Sequence, residues 1–132
     1  MNYNVYSKDC PARLFFERLA ERWILLIIGQ LRDEQPKRFS ELKRQVQGIS
    51  QKVLSQKLKQ LERDGLISRK VFATMPITVE YQLTDLGIGF AQTVEQVSGW
   101  AEQNVSRVLQ AHEAYDARMA AQSEQETAKK MP

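Results

Sequence analysis

What the chain has little of narrows it first. Among 132 residues there is one cysteine, Cys10, and one histidine, His112. A lone cysteine excludes an internal disulfide, and nothing calls for an oxidising compartment. His112 lies in an Ala-, Gln- and Glu-rich stretch without the partners a metal site needs. Long apolar runs are missing too. The longest, Trp23 to Ile28, is six residues, far short of a membrane span. The opening MNYNVYSKDCPARLFF lacks the basic, apolar and small-residue regions of an export signal. No glycine-rich phosphate loop occurs, no motif pairs Ser or Cys with His, and scattered carboxylates make no acid–base pair. The expectation is a cytoplasmic protein that is not an enzyme and holds no metal or cofactor.

Acid is scarce where base is dense. From Gln35 to Phe72 there are ten Lys and Arg against three Asp and Glu, a balance of +7. Residues 1–34 are neutral, and residues 73–132 carry four bases against eight acids, a balance of −4. The formal charge of +3 therefore conceals a chain that is basic in its middle. Hydrophobic content of 42% and charged content of 27% are globular values, and the length suits a single domain over residues 1–132.

Periodicity divides the chain. Cys10-Pro11 opens a helix over 11–20, since proline at the first helical position forgoes only an N–H that would be unpaired anyway. A second helix over 22–32 ends at Asp33-Glu34-Gln35-Pro36. Lys37 to Phe39 reads as a very short strand. Phe39, Leu42 and Val46 mark one face of a third helix that stops at Gly48, a residue suited to a left-handed terminus. Ser50 then caps a fourth helix, with Ile49 as its staple and Leu54, Leu58 and Leu61 as its buried stripe. The helix-turn-helix thus spans 39–64. Residues 66–83 alternate as a hairpin whose loop is Thr74-Met75-Pro76-Ile77. Thr84 caps a long last helix over about 85–119, followed by a polar, frayed tail at 120–132. Its apolar positions, from Leu86 through Val94, Val97, Ala101 and Val105 to Val108, step by three and four, a seam that requires another helix. The fold class is mainly α with a small β-hairpin.

On the helix from Ser50 to Asp64, the face opposite the leucines carries Lys52, Ser55, Gln56, Lys59 and Arg63 without an acid. Positive charge for phosphates with Ser and Gln for base edges is the mixture a major-groove reader needs. The bland reading is a solvated helix face, and a winged protein–protein module without DNA is the rival class. Arg69 and Lys70 on the hairpin would approach the phosphate backbone or be ordinary strand charge. Cys10 precedes a helix N-terminus beside Lys8 and Arg13, which favours thiolate, whereas Asp9 opposes it. It is a sensor of oxidants or electrophiles, or an inert packing thiol.

The segments CPARLFFERLAERWILLII, RFSELKRQVQGISQKVLSQKLKQLERDGLI and VEYQLTDLG, with Trp100 beyond, cover roughly residues 10–102. In them the chain resembles the HxlR-type winged helix-turn-helix regulators of bacteria, a branch near the MarR group. The resemblance implies a homodimeric transcription factor bound to an inverted repeat in double-stranded DNA. It implies that the reading helix, with Ser50 at its start, turns Gln51, Lys52, Ser55, Gln56 and Lys59 to the groove, and that Arg38 and Arg69 meet phosphates. It implies a dimer built from the terminal helices, which carry Leu14, Phe15, Val94, Val97, Trp100, Ala101, Val105 and Val108. It also implies a sensor role for Cys10 toward an oxidant or electrophile; a small-molecule effector with a structural Cys10 is the alternative. Related chains often have two prolines and a basic residue at the wing tip, where this one reads Met75-Pro76-Ile77-Thr78, so a minor-groove contact from the tip is not implied. With one cysteine per chain, a disulfide switch could join Cys10 only to its symmetry mate or to a small thiol.

Overall fold

A computed structural model describes residues 2–130. Pro11 starts α1 (Pro11–Leu19), with Cys10 as the N-cap residue. In α2 (Arg22–Gln30) the cap is Glu21, whose carboxylate accepts the Ile24 N–H at 3.1 Å. One turn later come α3 (Phe39–Gln45) and α4 (Gln51–Arg63), the helix-turn-helix expected from the sequence. Gly48 adopts φ +89°, a left-handed conformation that a side chain would strain, and this reverses the chain between the two helices. Ser50 Oγ accepts the Val53 N–H at 3.1 Å and closes the first turn of α4.

The stripes that spacing marks on α3 and α4 are buried, whereas on α2 the buried side is Ile24, Ile27 and Ile28, with Leu26 exposed. Ile24, Ile27 and Ile28 of α2 meet Leu42 of α3 and Leu54, Leu58 and Leu61 of α4. Leu31, Val46, Ile49, Leu66, Ile67 and Leu83 close this core. By contrast, α1 buries none of its residues, and Leu14, Phe15 and Phe16 are exposed.

The strands β1 (Ile67–Phe72) and β2 (Thr78–Leu83) pair antiparallel, with Ile67 opposite Leu83 and Arg69 opposite Tyr81. The short strand read at Lys37 is a single bridge: the Lys37 N–H donates to the Tyr81 carbonyl at 2.9 Å, and the Tyr81 N–H donates back at 2.8 Å. Thr84 Oγ1 accepts the Gly87 N–H at 3.1 Å and donates to the Gly65 carbonyl at 2.6 Å, so the cap of the last helix also ties down the turn after α4. At Gly87 a Cβ would lie 2.0 Å from the Leu66 carbonyl oxygen; only glycine lets the two backbones approach so closely.

The last helix, α5, runs Asp85–Lys130. This corrects the expectation of an end near 119 and a frayed tail for residues 120–130; residues 131–132 of that tail lie outside the described residues. The segment AAQSEQETAKK is polar but consists mainly of strong helix formers, with neither glycine nor proline, and polarity does not oppose helix formation. Two compact units are distinguished, Met1–Glu95 and Gln96–Pro132. The first contains the whole core; the second is helical from Gln96 to Lys130, and Val97, Trp100, Val105 and Val108 on it are exposed. Val94 departs from the sequence reading. It lies in the protomer's own core, among Ala91 and the residues of α2, and offers no surface to a dimer partner. Among the described residues, no helix is long and apolar enough to cross a membrane.

Candidate nucleic-acid interface

Because Leu54, Leu58 and Leu61 anchor one side of α4, its other side is fixed by helical geometry. Gln51, Lys52, Gln56, Lys59 and Arg63 are exposed there, and Ser55 is half-buried. Among the described residues, no carboxylate lies within ion-pair distance of Lys52, Lys59, Arg63 or Arg69. Ser50 stands at the N-cap, and its hydroxyl is already engaged with Val53. Arg38 is exposed at the N-cap of α3, where its N–H donates to Glu41 Oε1 at 3.3 Å.

The hairpin completes one side of this surface. Ser55, Leu58, Lys59 and Glu62 of α4, with Arg69 and Tyr81 of the hairpin, line a cleft of about 320 Å³. Strand alternation separates the two basic residues of β1. Arg69 faces the cleft, whereas the Lys70 ammonium lies 5.1 Å from the centre of the Phe72 ring on the other face. Arg69 and Lys70 are thus not brought together. Glu62 and Tyr81 are the members of the cleft that the sequence reading missed. Tyr81 could have been found from the alternation of β2, which puts it on the face opposite Gln82. Glu62 carries no signal beyond its helical distance from Ser55 and Lys59.

Two lysines of the basic segment belong elsewhere. Lys57 Nζ lies 3.5 Å from Glu21 Oε2 and so ties α4 to the start of α2. Burial raises the Glu21 pKa, but the Trp23 and Ile24 N–H groups together with Lys57 outweigh it and hold the carboxyl below its ordinary value. Lys37 is only 8% exposed; its ammonium meets the Gln30 carbonyl and, at 3.1 Å, Asp33 Oδ2. The Asp33 carboxyl is held low first by the Gln35 N–H and then, against some desolvation, by Lys37. At the far end of α4, the C-cap Asp64 receives a two-pronged bond from Arg18 of α1.

Cys10 is half-buried at the start of α1, and its Sγ accepts the Asn4 N–H at 3.3 Å. Desolvation works against the thiolate, yet the amides of Asn4, Ala12 and Arg13 together hold the thiol below its ordinary pKa. Of the residues read as a dimer surface within α1, Leu14 and Phe15 are exposed; in the second unit Val97, Trp100, Ala101, Val105 and Val108 are exposed.

Comparison with known proteins gives a consistent picture. The model of the HxlR-like helix-turn-helix family matches residues 18–109. The uncharacterized HTH-type transcriptional regulator YtfH of Escherichia coli (strain K12) is 39% identical over 106 residues, covering 80% of this chain and 83% of YtfH. The structure of ytfH from Salmonella typhimurium superposes with a TM-score of 0.78 at 38% identity, over 85% of this chain and 99% of that one. The crystal structure of the diamide-treated YodB from B. subtilis gives a TM-score of 0.60 at 35% identity, over 74% of this chain and 96% of that one.

Proposed function

This chain belongs to the HxlR-like helix-turn-helix family, whose members are DNA-binding transcriptional regulators rather than enzymes, and from that premise we propose how it acts. It works in the cytoplasm as a homodimer on an inverted repeat in double-stranded DNA, with α4 in the major groove and the hairpin beside the backbone. The observation that carries this reading is the row of Lys52, Gln56, Lys59 and Arg63, exposed on one side of α4, whose charged members have no ion-pair partner among the described residues. Lys52, Lys59, Arg63 and Arg69 supply phosphate contacts, with Arg38 and Lys70 at the margins; Gln51, Ser55 and Gln56 read base edges. Two-fold symmetry sets half-sites about 10 bp apart centre to centre, or a multiple. Leu14 and Phe15 on α1 and, on the second unit, Val97, Trp100, Ala101, Val105 and Val108 supply apolar surface for the partner copy.

Selection of duplexes from a random pool, followed by titration of the winner at several salt concentrations, tests the reading. The expected outcome is an inverted repeat whose affinity falls steeply between about 50 and 200 mM salt. An affinity that ignores salt overturns the electrostatic part. Gln56→Ala is expected to change the preferred base at one position of each half-site.

A second reading concerns control. The thiol of Cys10, held toward thiolate by three backbone amides, is the group an oxidant or electrophile would attack. The similarity to YodB, whose structure was solved after diamide treatment, supports this reading. The sensor reading predicts thiol reactivity that titrates below an ordinary cysteine and DNA binding that changes on diamide treatment. Absence of both effects would make Cys10 a packing residue and assign control to a small-molecule ligand.

A further inference from the structure

Lys37 is a charged residue that the core of the first unit encloses, only 8% exposed, and its contacts are unlike those of Lys52 and Lys59. An enclosed ammonium costs free energy unless it is paired and hydrogen-bonded. Here it is both. It caps the Gln30 carbonyl, one of the groups that the last turn of α2 leaves without an intrahelical partner, and it pairs with Asp33. The same residue's backbone makes both hydrogen bonds of the bridge to Tyr81. In the register of the hairpin, Tyr81 is the direct partner of Arg69, and both line the cleft beside α4. One residue therefore joins the end of α2 to β2, which gives Tyr81 to the cleft and pairs with Arg69 of β1.

We propose that Lys37 is a positioning residue for DNA contact: its ammonium anchors the bridge to β2 and thereby sets where the hairpin presents Arg69 beside α4. This role rests on the DNA-binding reading above. The positive charge of Lys37 is spent on Gln30 and Asp33 and is not itself offered to phosphate. A methionine of similar length in its place keeps the backbone bridge groups but leaves them unanchored.

The test uses the full chain with three variants, Lys37→Met, Arg69→Ala and the double variant, each checked for folding by thermal unfolding. Hydrogen exchange at the Tyr81 amide reports the bridge directly, because that N–H donates to the Lys37 carbonyl. In Lys37→Met it is expected to exchange faster, by roughly tenfold or more, while the amides pairing β1 with β2 keep their protection. On the selected duplex, Lys37→Met is expected to weaken binding by roughly tenfold, the scale of one charge-assisted hydrogen bond, and to lower the salt slope by about one unit. The double variant should be no weaker than Arg69→Ala alone. Losses that multiply, or a weakened affinity with an unchanged salt slope, overturn the positioning role. Should Lys37→Met fail to fold, Asp33→Asn removes the ion-pair partner and is expected to loosen the same amide to a smaller extent; unaltered Tyr81 protection there overturns the anchor. Absence of salt-dependent DNA binding by the unaltered protein defeats the DNA reading and the contact role with it. The exchange measurement still decides, without DNA, whether Lys37 anchors the hairpin.

Discussion

On α4 the side chains that the core does not use include Lys52, Gln56, Lys59 and Arg63, whereas on α5 beyond Gln96 the exposed set includes Val97, Trp100, Val105 and Val108. Both helices leave one side uncovered, but the chemistry of what is left differs. Lysine and arginine heads stay solvated until a phosphate replaces water, and they gain from releasing counterions. An uncovered tryptophan, 62% exposed, gains only from removing apolar surface from water. Exposure by itself therefore identifies no partner. The residue type at the exposed positions separates a surface for a polyanion from a surface for another protein.

Several substitutions would break or sharpen that contrast. The largest effect is expected on the covered side of α4: Leu58→Ala should cost about 2–5 kcal/mol of folding stability, read by chemical denaturation. Val105→Asp on α5 should instead leave the core intact and separate the copies, raising the dimer dissociation constant at least roughly tenfold in sedimentation experiments. An unchanged association would remove this stretch of α5 from the dimer. Next comes Arg18→Met, which strips the bond from an Asp64 carboxylate whose side chain is 6% exposed. About 2 kcal/mol is expected in the same denaturation experiment, less than for a fully buried pair because the arginine side is 39% exposed.

Smaller but more selective is a comparison within α4. Lys59→Ala should lower the slope of log affinity against log salt by about one unit, while Lys57→Ala, already paired with Glu21, should leave it almost unchanged. Equal slopes for the two would mean that internal pairing does not decide which lysines meet phosphate. The smallest effect expected is at the cap of α2. Because the Glu21 carboxyl titrates below its ordinary value in the folded chain, its contribution is present above the unfolded pKa and is lost as pH falls through the folded one. Glu21→Gln should then cost up to about 1 kcal/mol at neutral pH, a difference that closes well below about pH 4 in thermal melts.

Much of this was legible locally. The Ser50 cap, the stop at Gly48, the leucine stripe of α4 and the alternation of β2 all follow from side-chain spacing and backbone preference within a few residues. The end of α5 was also local, but the polarity of residues 120–130 suggested fraying where helix propensity carries the helix to Lys130. What could not be read was assignment. Val94 and Val97 look alike in the apolar seam, yet Val94 is enclosed by the core while Val97 is exposed. Lys37 and Lys57 count toward the same +7 as Lys52 and Lys59, yet their charge is taken up by Asp33 and Glu21.

By itself the sequence determined where the helices begin, which side of α4 buries, and that the middle of the chain carries excess positive charge. These depend on periodicity and capping, which act over one or two turns. Only the tertiary structure decided which of the charges remain unpaired, that Arg69 rather than Lys70 lines the cleft, and that Lys37 links α2 to the hairpin. Most of those outcomes depend on a group distant along the chain: Glu21 lies far from Lys57, and Tyr81 far from Lys37. No local pattern encodes such a distance, because packing alone brings the partners together.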